Sequence, residues 1–317
     1  MILSVSAIML AGCAVTGPHQ NTPPAGIAHD YAFRQNLPSR DVLYVSDPIY
    51  SRVDLYPLNT NNPASIGEIR SGLETPTGMA VDTLHNLYVA SNTDNRNVAH
   101  FKGVPYFVTV YAPGSGSVDL WYSIDLRHPT DVAVGNDGTV YVASFGDGYI
   151  TEYPPGSATP SLHFQPPSGS PLAVALDANN NLYAACANTN QVYEFPPGST
   201  QGTNLGLMLG GEPHGIAFDS SGNLVIAVSA APNSGSVVDV FPPGNTKPSK
   251  QISGVFQPFM IAFDRSQRHL YVADYGSGNH DGGVFEFAYP AGTLVGKYAQ
   301  GAASAAYGVA VNPPAPL

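Results

Sequence analysis

The chain has 317 residues, enough for one large or two modest domains. Its 33 glycines and 29 prolines, set against only 11% charged residues, favour many short strands separated by turns. The net charge of −11 argues against nucleic-acid binding, because an acidic surface repels phosphate backbones, and no apolar run reaches the ~20 residues of a membrane-spanning helix.

The N-terminal segment predicts export. Residues 1–12 are apolar or small and uncharged, as in a short signal peptide, and LAGC at residues 10–13 resembles the lipobox of bacterial lipoproteins. That resemblance implies cleavage before Cys13, a lipid on its thiol, and a location in the bacterial cell envelope, either lipid-anchored to a membrane or secreted. The segment lacks the usual basic residues, and a frayed apolar N-terminus is the alternative. Residues 13–40 lack periodicity and are predicted to form a flexible tether.

A repeated segment organises the rest of the chain. Five copies open with a proline and a sixth opens with an alanine, at Pro76, Pro129, Pro171, Pro213, Pro258 and Ala306. Each copy predicts a small-residue strand such as GIAF at 215–218, a polar turn, and an apolar strand such as LYVA at 87–90. A variable loop, a third strand that often ends in Tyr/Phe-Pro-Pro-Gly, and a less regular fourth strand follow. Four short strands at this period predict a β-propeller blade.

The two ends of the repeat region complete each other. Residues 42–72 supply a second, third and fourth strand, whereas residues 306–312 supply a first strand alone. Pairing these ends makes a sixth blade and leaves no open sheet edge. We therefore predict an all-β, six-bladed β-propeller over residues 41–317, with four antiparallel strands per blade and a ring closed by the N-terminal strands and a C-terminal strand.

Aspartates recur where the first strands end. We assign these residues to the scaffold, since an aspartate that opens a polar turn accepts hydrogen bonds from the backbone of that turn. They are Asp82, Asp177, Asp219 and Asp264.

The repeat over residues 42–312 resembles the NHL-repeat propellers and the six-bladed, calcium-dependent propellers of the gluconolactonase/regucalcin family. The resemblance is specific for the fold and a poor guide to function, because unrelated activities share propellers. The resemblance to the gluconolactonase-like family implies a catalytic calcium ion. Its expected ligands are a glutamate in a Glu-x-Pro context and an asparagine and an aspartate placed directly after strand-opening prolines.

This chain matches that ligand set poorly. Glu74 has the glutamate context, but no residue after a strand opening is Asn or Asp. Asp131 lies one position too far along, and strand alternation should point it away from the partners of Thr130. Propeller lyases that cleave α-hydroxyglycine peptides hold zinc through three histidines, and here only His214 follows a strand-opening proline. The two cysteines, Cys13 and Cys186, form no zinc-binding pattern.

We therefore predict no metal cofactor and no catalysis. The alternative is a divergent, gluconolactonase-like hydrolase or lactonase that uses calcium or zinc with Glu74 and His214. A third hypothesis is a structural envelope protein whose propeller mediates assembly.

Binding is expected at one end of the central channel. Propeller geometry places the openings of the inner strands and the loops between second and third strands at the same end. The openings mix apolar and hydrogen-bonding side chains, which suits a small ligand or a peptide. The predicted partner is a protein, peptide or glycan. The candidate residues at the strand openings and in the loops are Thr77, Thr130, Leu172, His214, Phe259, Tyr307, Arg96, Asp147, Tyr275 and His280.

Overall fold

A computed structural model describes residues 41–58, 61–92, 106–230, 235–276, 282–299 and 305–317. Across these ranges the chain forms 24 β-strands in six four-stranded antiparallel sheets. In the same ranges the helical structure is a single 3₁₀ turn, Ala187–Thr189, and no helix is long and apolar enough to cross a membrane. The predicted signal peptide, the tether and Cys13 lie outside the described residues and stay predictions.

Each sheet is one blade. The strands of blades 1, 2 and 3, apart from the inner strand of blade 1, are β1 (Val42–Asp47), β2 (Arg52–Pro57), β3 (Gly67–Ile69), β4 (Pro76–Val81), β5 (Leu87–Asn92), β6 (Tyr106–Tyr111), β7 (Leu120–Tyr122), β8 (Pro129–Val134), β9 (Val140–Ser144), β10 (Tyr149–Tyr153) and β11 (Leu162–Phe164).

The strands of blades 4, 5 and 6, followed by the inner strand of blade 1, are β12 (Pro171–Leu176), β13 (Leu182–Cys186), β14 (Gln191–Phe195), β15 (Thr203–Asn204), β16 (Glu212–Phe218), β17 (Leu224–Ser229), β18 (Val237–Phe241), β19 (Lys250–Ile252), β20 (Pro258–Phe263), β21 (His269–Asp274), β22 (Gly283–Ala288), β23 (Thr293–Tyr298) and β24 (Val309–Asn312).

The six sheets close into a ring. The inner strands β24, β4, β8, β12, β16 and β20 contact one another in that order, and β20 contacts β24. Blade 1 joins the two ends of the repeat region, because β1 pairs antiparallel with β24, with Val42 opposite Asn312 and Val45 opposite Val309. The prediction of a six-bladed, all-β propeller closed in this way is confirmed.

The strand openings share a local irregularity. Five inner strands have a proline as their first or second residue, and in each of them the pairing with the second strand shifts directly after that proline. Such a β-bulge leaves a residue outside the ladder and re-aims its side chain. The residue after each proline is therefore unpaired at the mouth of the channel.

The turns and the core explain why the blades hold together. Asp219 accepts hydrogen bonds from the backbone N–H groups of Ser221 and Asn223, both at 2.9 Å, and from the hydroxyl of Tyr289 at 2.7 Å. Asp82, Asp177 and Asp264 accept hydrogen bonds from their own turns in the same way, so the scaffold role predicted for these aspartates is confirmed.

Buried valine, leucine and isoleucine side chains fill the space between sheets together with large aromatic residues, among them Tyr111, Tyr153 and Phe195.

Candidate binding site at the channel mouth

Three aromatic rings from consecutive blades stack at the mouth. His214 opens blade 5, Phe259 opens blade 6, and Tyr307 stands before the inner strand of blade 1. The ring centroids of His214 and Phe259 are 4.6 Å apart with 36° between planes, and those of Phe259 and Tyr307 are 4.2 Å apart with 30° between planes. Tyr275 meets Phe259 edge-on at 6.0 Å. We call these four residues the aromatic cluster.

The aromatic cluster combines four residues singled out in the sequence. Phe259, Tyr275 and Tyr307 are partly exposed, whereas His214 is buried. Partly exposed aromatic side chains are suited to contact with a ligand, because they supply large contact areas with little loss of rotamer freedom.

The electrostatic surroundings of His214 favour its neutral form. Its side chain is only 8% exposed, and its Nε2 lies 3.6 Å from Oε2 of the exposed Glu212. Burial lowers the pKa of His214 below its ordinary value, and this outweighs the opposing effect of the Glu212 carboxylate. The ring is therefore uncharged near pH 7.

The openings of blades 2, 3 and 4 carry smaller side chains, and all three are buried. The Thr77 hydroxyl lies 3.1 Å from the carbonyl oxygens of both Ala90 and Pro129, so it links blade 2 to blade 3. The Thr130 hydroxyl donates to the Ala143 carbonyl at 3.5 Å. The predicted ligand contacts Thr77 and Thr130 thus also bond to the scaffold, and Leu172 contributes an apolar side chain.

Asp131 lies between the inner strands of blades 2, 3 and 4. The bulge in β8 directs its carboxylate to the boundary between inner strands, where Oδ2 accepts the N–H of Val174 in blade 4 at 3.1 Å. A Cβ added at Gly78 in blade 2 would lie 2.2 Å from Oδ1, so the glycine makes room for the carboxylate. As expected, Thr130 and Asp131 have different partners.

Burial sets the protonation of this carboxyl group. It raises the pKa of Asp131 to about 7, although the N–H groups of Val174 and Val132 favour the charged form. Burial also raises the pKa of Tyr307, and the negative charge of Asp131 raises it further. The two side chains therefore lie within electrostatic range of each other, although they belong to blades 3 and 1.

One sequence signal could have identified Asp131. The third residue of each inner-strand opening is small or apolar in five of the six copies, and an aspartate in the remaining one. These residues are Gly78, Asp131, Ala173, Gly215, Met260 and Gly308.

The remaining predicted contacts are not joined to the aromatic cluster. Asp147 lies in the loop between β9 and β10, and its electrostatic neighbours are Arg127, Asp125, Tyr149 and His128. Burial raises the pKa of Asp147, although Arg127 lowers it. Arg96 and His280 lie outside the described residues and stay predictions.

The metal-dependent alternative needs several converging side-chain donors. Glu74 is buried in the segment before β4, and His214 pairs with Glu212 in blade 5. Within the described ranges, no group of three or more His, Cys, Asp or Glu side chains could hold a metal ion. The two ligands considered for the metal-dependent alternative therefore lack a third partner in this part of the chain.

A cleft of about 930 Å³ adjoins the aromatic side of the mouth between blades 4, 5 and 6. Its lining includes Asn188, Asn190, Glu212 and Gln257, together with Phe256, whose side chain is 64% exposed. Because Glu212 lines the cleft and also contacts His214, the cleft lies next to the aromatic cluster.

Comparison with known proteins supports the fold alone. No family model and no curated protein matches this chain. A chain from the crystal structure of the nidogen/laminin complex superposes with a TM-score of 0.66 at 15% identity, over 86% of this chain and 98% of that one. A functionally unknown protein from Desulfotomaculum acetoxidans DSM 771 has a TM-score of 0.59 at 12% identity, over 86% and 85%. Kuenenia stuttgartiensis hydrazine synthase has a TM-score of 0.52 at 13% identity, over 68% and 64%.

Proposed function

We propose that this protein is a non-catalytic, NHL-like binding propeller that holds a protein, peptide or glycan partner at the channel mouth. The observation that carries the proposal is the aromatic cluster, in which His214, Phe259 and Tyr307 stack and Tyr275 closes one side. Aromatic anchors in concave, partly desolvated positions supply much of the binding energy at recognition sites.

The adjoining cleft supplies the hydrogen-bonding groups that such a site needs for specificity. Asn188, Asn190 and Gln257 offer amide donors and acceptors, and Glu212 offers a carboxylate beside the rings. A few convergent polar groups around an apolar centre are typical of ligand sites. In blades 4 and 5, residues of the loops between second and third strands line part of this cleft.

The structural comparison is compatible with a macromolecular partner. The nidogen/laminin complex contains a chain of similar fold and is an assembly of two proteins. At 15% identity this likeness concerns the fold, so the partner of the present chain has to be identified by experiment.

The proposal includes an envelope location. The lipobox-like segment before Cys13 supports lipid attachment and hence contact with a membrane through the lipid. In a bacterial host, metabolic labelling with an alkyne fatty acid should mark the full chain and leave the Cys13→Ser variant unlabelled. Equal labelling of the two chains would exclude lipidation at Cys13.

Peptide and glycan arrays test the binding site directly. We expect the wild-type chain to retain defined array members, and Phe259→Leu to lose them, because the substitution keeps an apolar side chain but removes the ring between His214 and Tyr307. Phe145→Leu is the matched control, since Phe145 is a 37% exposed aromatic residue in the loop after β9.

Binding that Phe145→Leu abolishes and Phe259→Leu leaves intact would place the site elsewhere on the propeller. Mass spectrometry of each retained molecule provides the check on catalysis. Cleaved or ring-opened products would contradict a non-catalytic role.

A further inference from the structure

The internal repeat allows equivalent positions of different blades to be compared. In blades 3, 4 and 6 a tyrosine of the second strand lies opposite a glutamate of the third strand. The three pairs are Tyr141 and Glu152, Tyr183 and Glu194, and Tyr271 and Glu286. Because none of these glutamates is fully exposed, each carboxylate needs hydrogen-bond donors from its surroundings.

Blade 6 satisfies its glutamate with side chains of the same blade. Glu286 accepts hydrogen bonds from the Tyr271 hydroxyl at 3.0 Å and from the Tyr298 hydroxyl at 3.1 Å. Nδ1 of His269 also lies within hydrogen-bond distance of this carboxylate. Tyr298 belongs to the fourth strand and is fully buried, so its ring fills the space beside Glu286.

The glutamate of blade 4 has fewer donors. The Tyr183 hydroxyl lies 3.3 Å from Oδ2 of Asp177 and opposite Glu194 across the ladder, so its one hydrogen faces two carboxylates. Asp177 also accepts hydrogen bonds from the backbone of its own turn. Within the described ranges, Tyr183 is the one side chain that bonds to Glu194. In blade 3, by contrast, the Ser161 hydroxyl donates to Glu152 at 2.5 Å.

Blade 4 carries a leucine where blade 6 has its buried tyrosine. Tyr298 pairs with the residue two positions before Glu286. The backbone N–H of Leu205 donates to the carbonyl oxygen of the residue two positions before Glu194. Leu205 therefore occupies the position of Tyr298, with a shorter side chain and without a hydroxyl.

A cavity of about 420 Å³ lies beside this leucine, between blades 4 and 5. Its lining includes the turns after β12 and β18, which lie at the end of the propeller opposite the channel mouth. Glu194 and Leu205 line it together with Tyr183, Phe218 and Phe241, and the rings of Tyr183 and Phe218 are 4.6 Å apart. Apolar walls with a few polar groups are typical of sites for small ligands.

We propose that this cavity binds a phenol, whose ring fills the space that Tyr298 fills in blade 6 and whose hydroxyl donates to Glu194. A phenol supplies the two things that blade 4 lacks beside its glutamate, a flat apolar body and a hydrogen-bond donor for a carboxylate. The cavity is separate from the channel mouth, so this inference does not depend on the proposed function.

Two pairs of probes test the role of the hydroxyl and distinguish a small phenolic compound from the tyrosine side chain of a peptide. 4-Methylphenol is compared with its methyl ether, and N-acetyl-tyrosine amide with N-acetyl-phenylalanine amide. Calorimetric titration of the full chain with each probe, up to about 10 mM, covers the millimolar affinities expected of such fragments.

We expect 4-methylphenol to bind about tenfold more tightly than its methyl ether, because the ether cannot donate to Glu194. The same preference within the second pair indicates a tyrosine side chain as the natural ligand, and its absence there indicates a small compound. This comparison needs only the wild-type chain, so it does not depend on the folding of any variant.

Filling the cavity from within the chain locates the site. In Leu205→Tyr the new ring should take the space that Tyr298 takes in blade 6. We therefore expect it to abolish 4-methylphenol binding and to raise the midpoint of thermal unfolding by about 2 °C. Phe259→Leu at the channel mouth should change neither quantity.

A second variant tests the acceptor. Glu194→Gln removes the charged acceptor and keeps its shape, so it should weaken 4-methylphenol about tenfold and leave the methyl ether unchanged. Glu152→Gln is the matched control, since the equivalent carboxylate of blade 3 already accepts from Ser161. It should change neither affinity.

Four results would overturn the inference. Equal binding of 4-methylphenol and its methyl ether would show an apolar cavity in which Glu194 takes no part. Binding of 4-methylphenol that Leu205→Tyr leaves unchanged would place the ligand elsewhere. Tighter binding of benzylamine than of 4-methylphenol would show that the carboxylates select a cation. No detectable binding of any probe would show that the cavity is no phenol site, and the array experiment would still decide the proposed function at the mouth.

Discussion

The two halves of the channel mouth use one backbone position for different purposes. In blades 5, 6 and 1 the residue after the strand opening is His214, Phe259 or Tyr307, and the rings stack across blade boundaries. In blades 2 and 3 the same position holds Thr77 and Thr130, whose hydroxyls bond to carbonyl oxygens of the scaffold. The Thr77 hydroxyl therefore links two blades and that of Thr130 bonds within blade 3, whereas the rings contact one another across blade boundaries.

The largest expected effect concerns the point where the two halves meet. A Cβ at Gly308 would lie 2.0 Å from the Thr77 carbonyl oxygen and 2.7 Å from Oγ of Ser46. Gly308→Ala should therefore force blades 1 and 2 apart and lower the free energy of unfolding by about 3 kcal/mol. Urea denaturation measures the change.

Gly67→Ala is the control, because no atom lies within 4 Å of a Cβ at Gly67. We expect it to change the free energy of unfolding by less than about 0.5 kcal/mol. Equal stability of the two variants would mean that the ring does not close through the contact between Gly308 and Thr77.

Asp131→Asn removes the negative charge of a buried carboxyl group in the polar half of the mouth, and this should change how stability depends on pH. The folded-state pKa of about 7 exceeds the ordinary value of 3.8. Between these values the folded chain holds a proton that the unfolded chain lacks, so this group makes the protein less stable as pH rises through this window. The pKa difference corresponds to about 4 kcal/mol, and we expect the buried amide N–H group that the asparagine introduces to offset about half of this.

We therefore expect Asp131→Asn to be more stable than wild type by about 2 kcal/mol at pH 8, with the difference shrinking toward pH 4. Denaturant titrations of both chains across this range measure it. Asp119→Asn, which removes one negative charge from an exposed side chain of blade 2, should follow the wild-type curve. A variant that is less stable than wild type at pH 8 would show that the Asp131 charge is compensated in the folded protein.

The repeat predicted the fold from strand period and from the complementary ends of the repeat region. It located β1 and β2 to within one residue, because apolar alternation and turn residues mark those strands locally. It also indicated the four members of the aromatic cluster through their places in the repeat. The environment of Asp131 was not predictable in this way, since a one-residue bulge changes the direction of a side chain without changing the sequence pattern.

Within the polar half, two equivalent threonines differ in their contacts. Thr77 lies 3.1 Å from two carbonyl oxygens of different blades, whereas Thr130 reaches one carbonyl at 3.5 Å, the long limit of a hydrogen bond. Thr77→Val should lower the free energy of unfolding by about 1 kcal/mol, and Thr130→Val by less than about 0.5 kcal/mol. Equal losses, measured by chemical denaturation, would contradict a bridging role for Thr77.

The smallest effect on stability is expected in the aromatic half. Phe259 is partly exposed, and stacked rings contribute about 0.5–1.5 kcal/mol beyond area burial. Phe259→Leu keeps most of the apolar volume, so we expect a loss near about 0.5 kcal/mol, close to that of Phe145→Leu on the opposite side. The two variants should differ in ligand binding and hardly in thermal unfolding, because a side chain that serves recognition adds little to folding. A loss above about 2 kcal/mol for Phe259→Leu would assign the ring to the core, and the aromatic half would then be scaffold like the polar half.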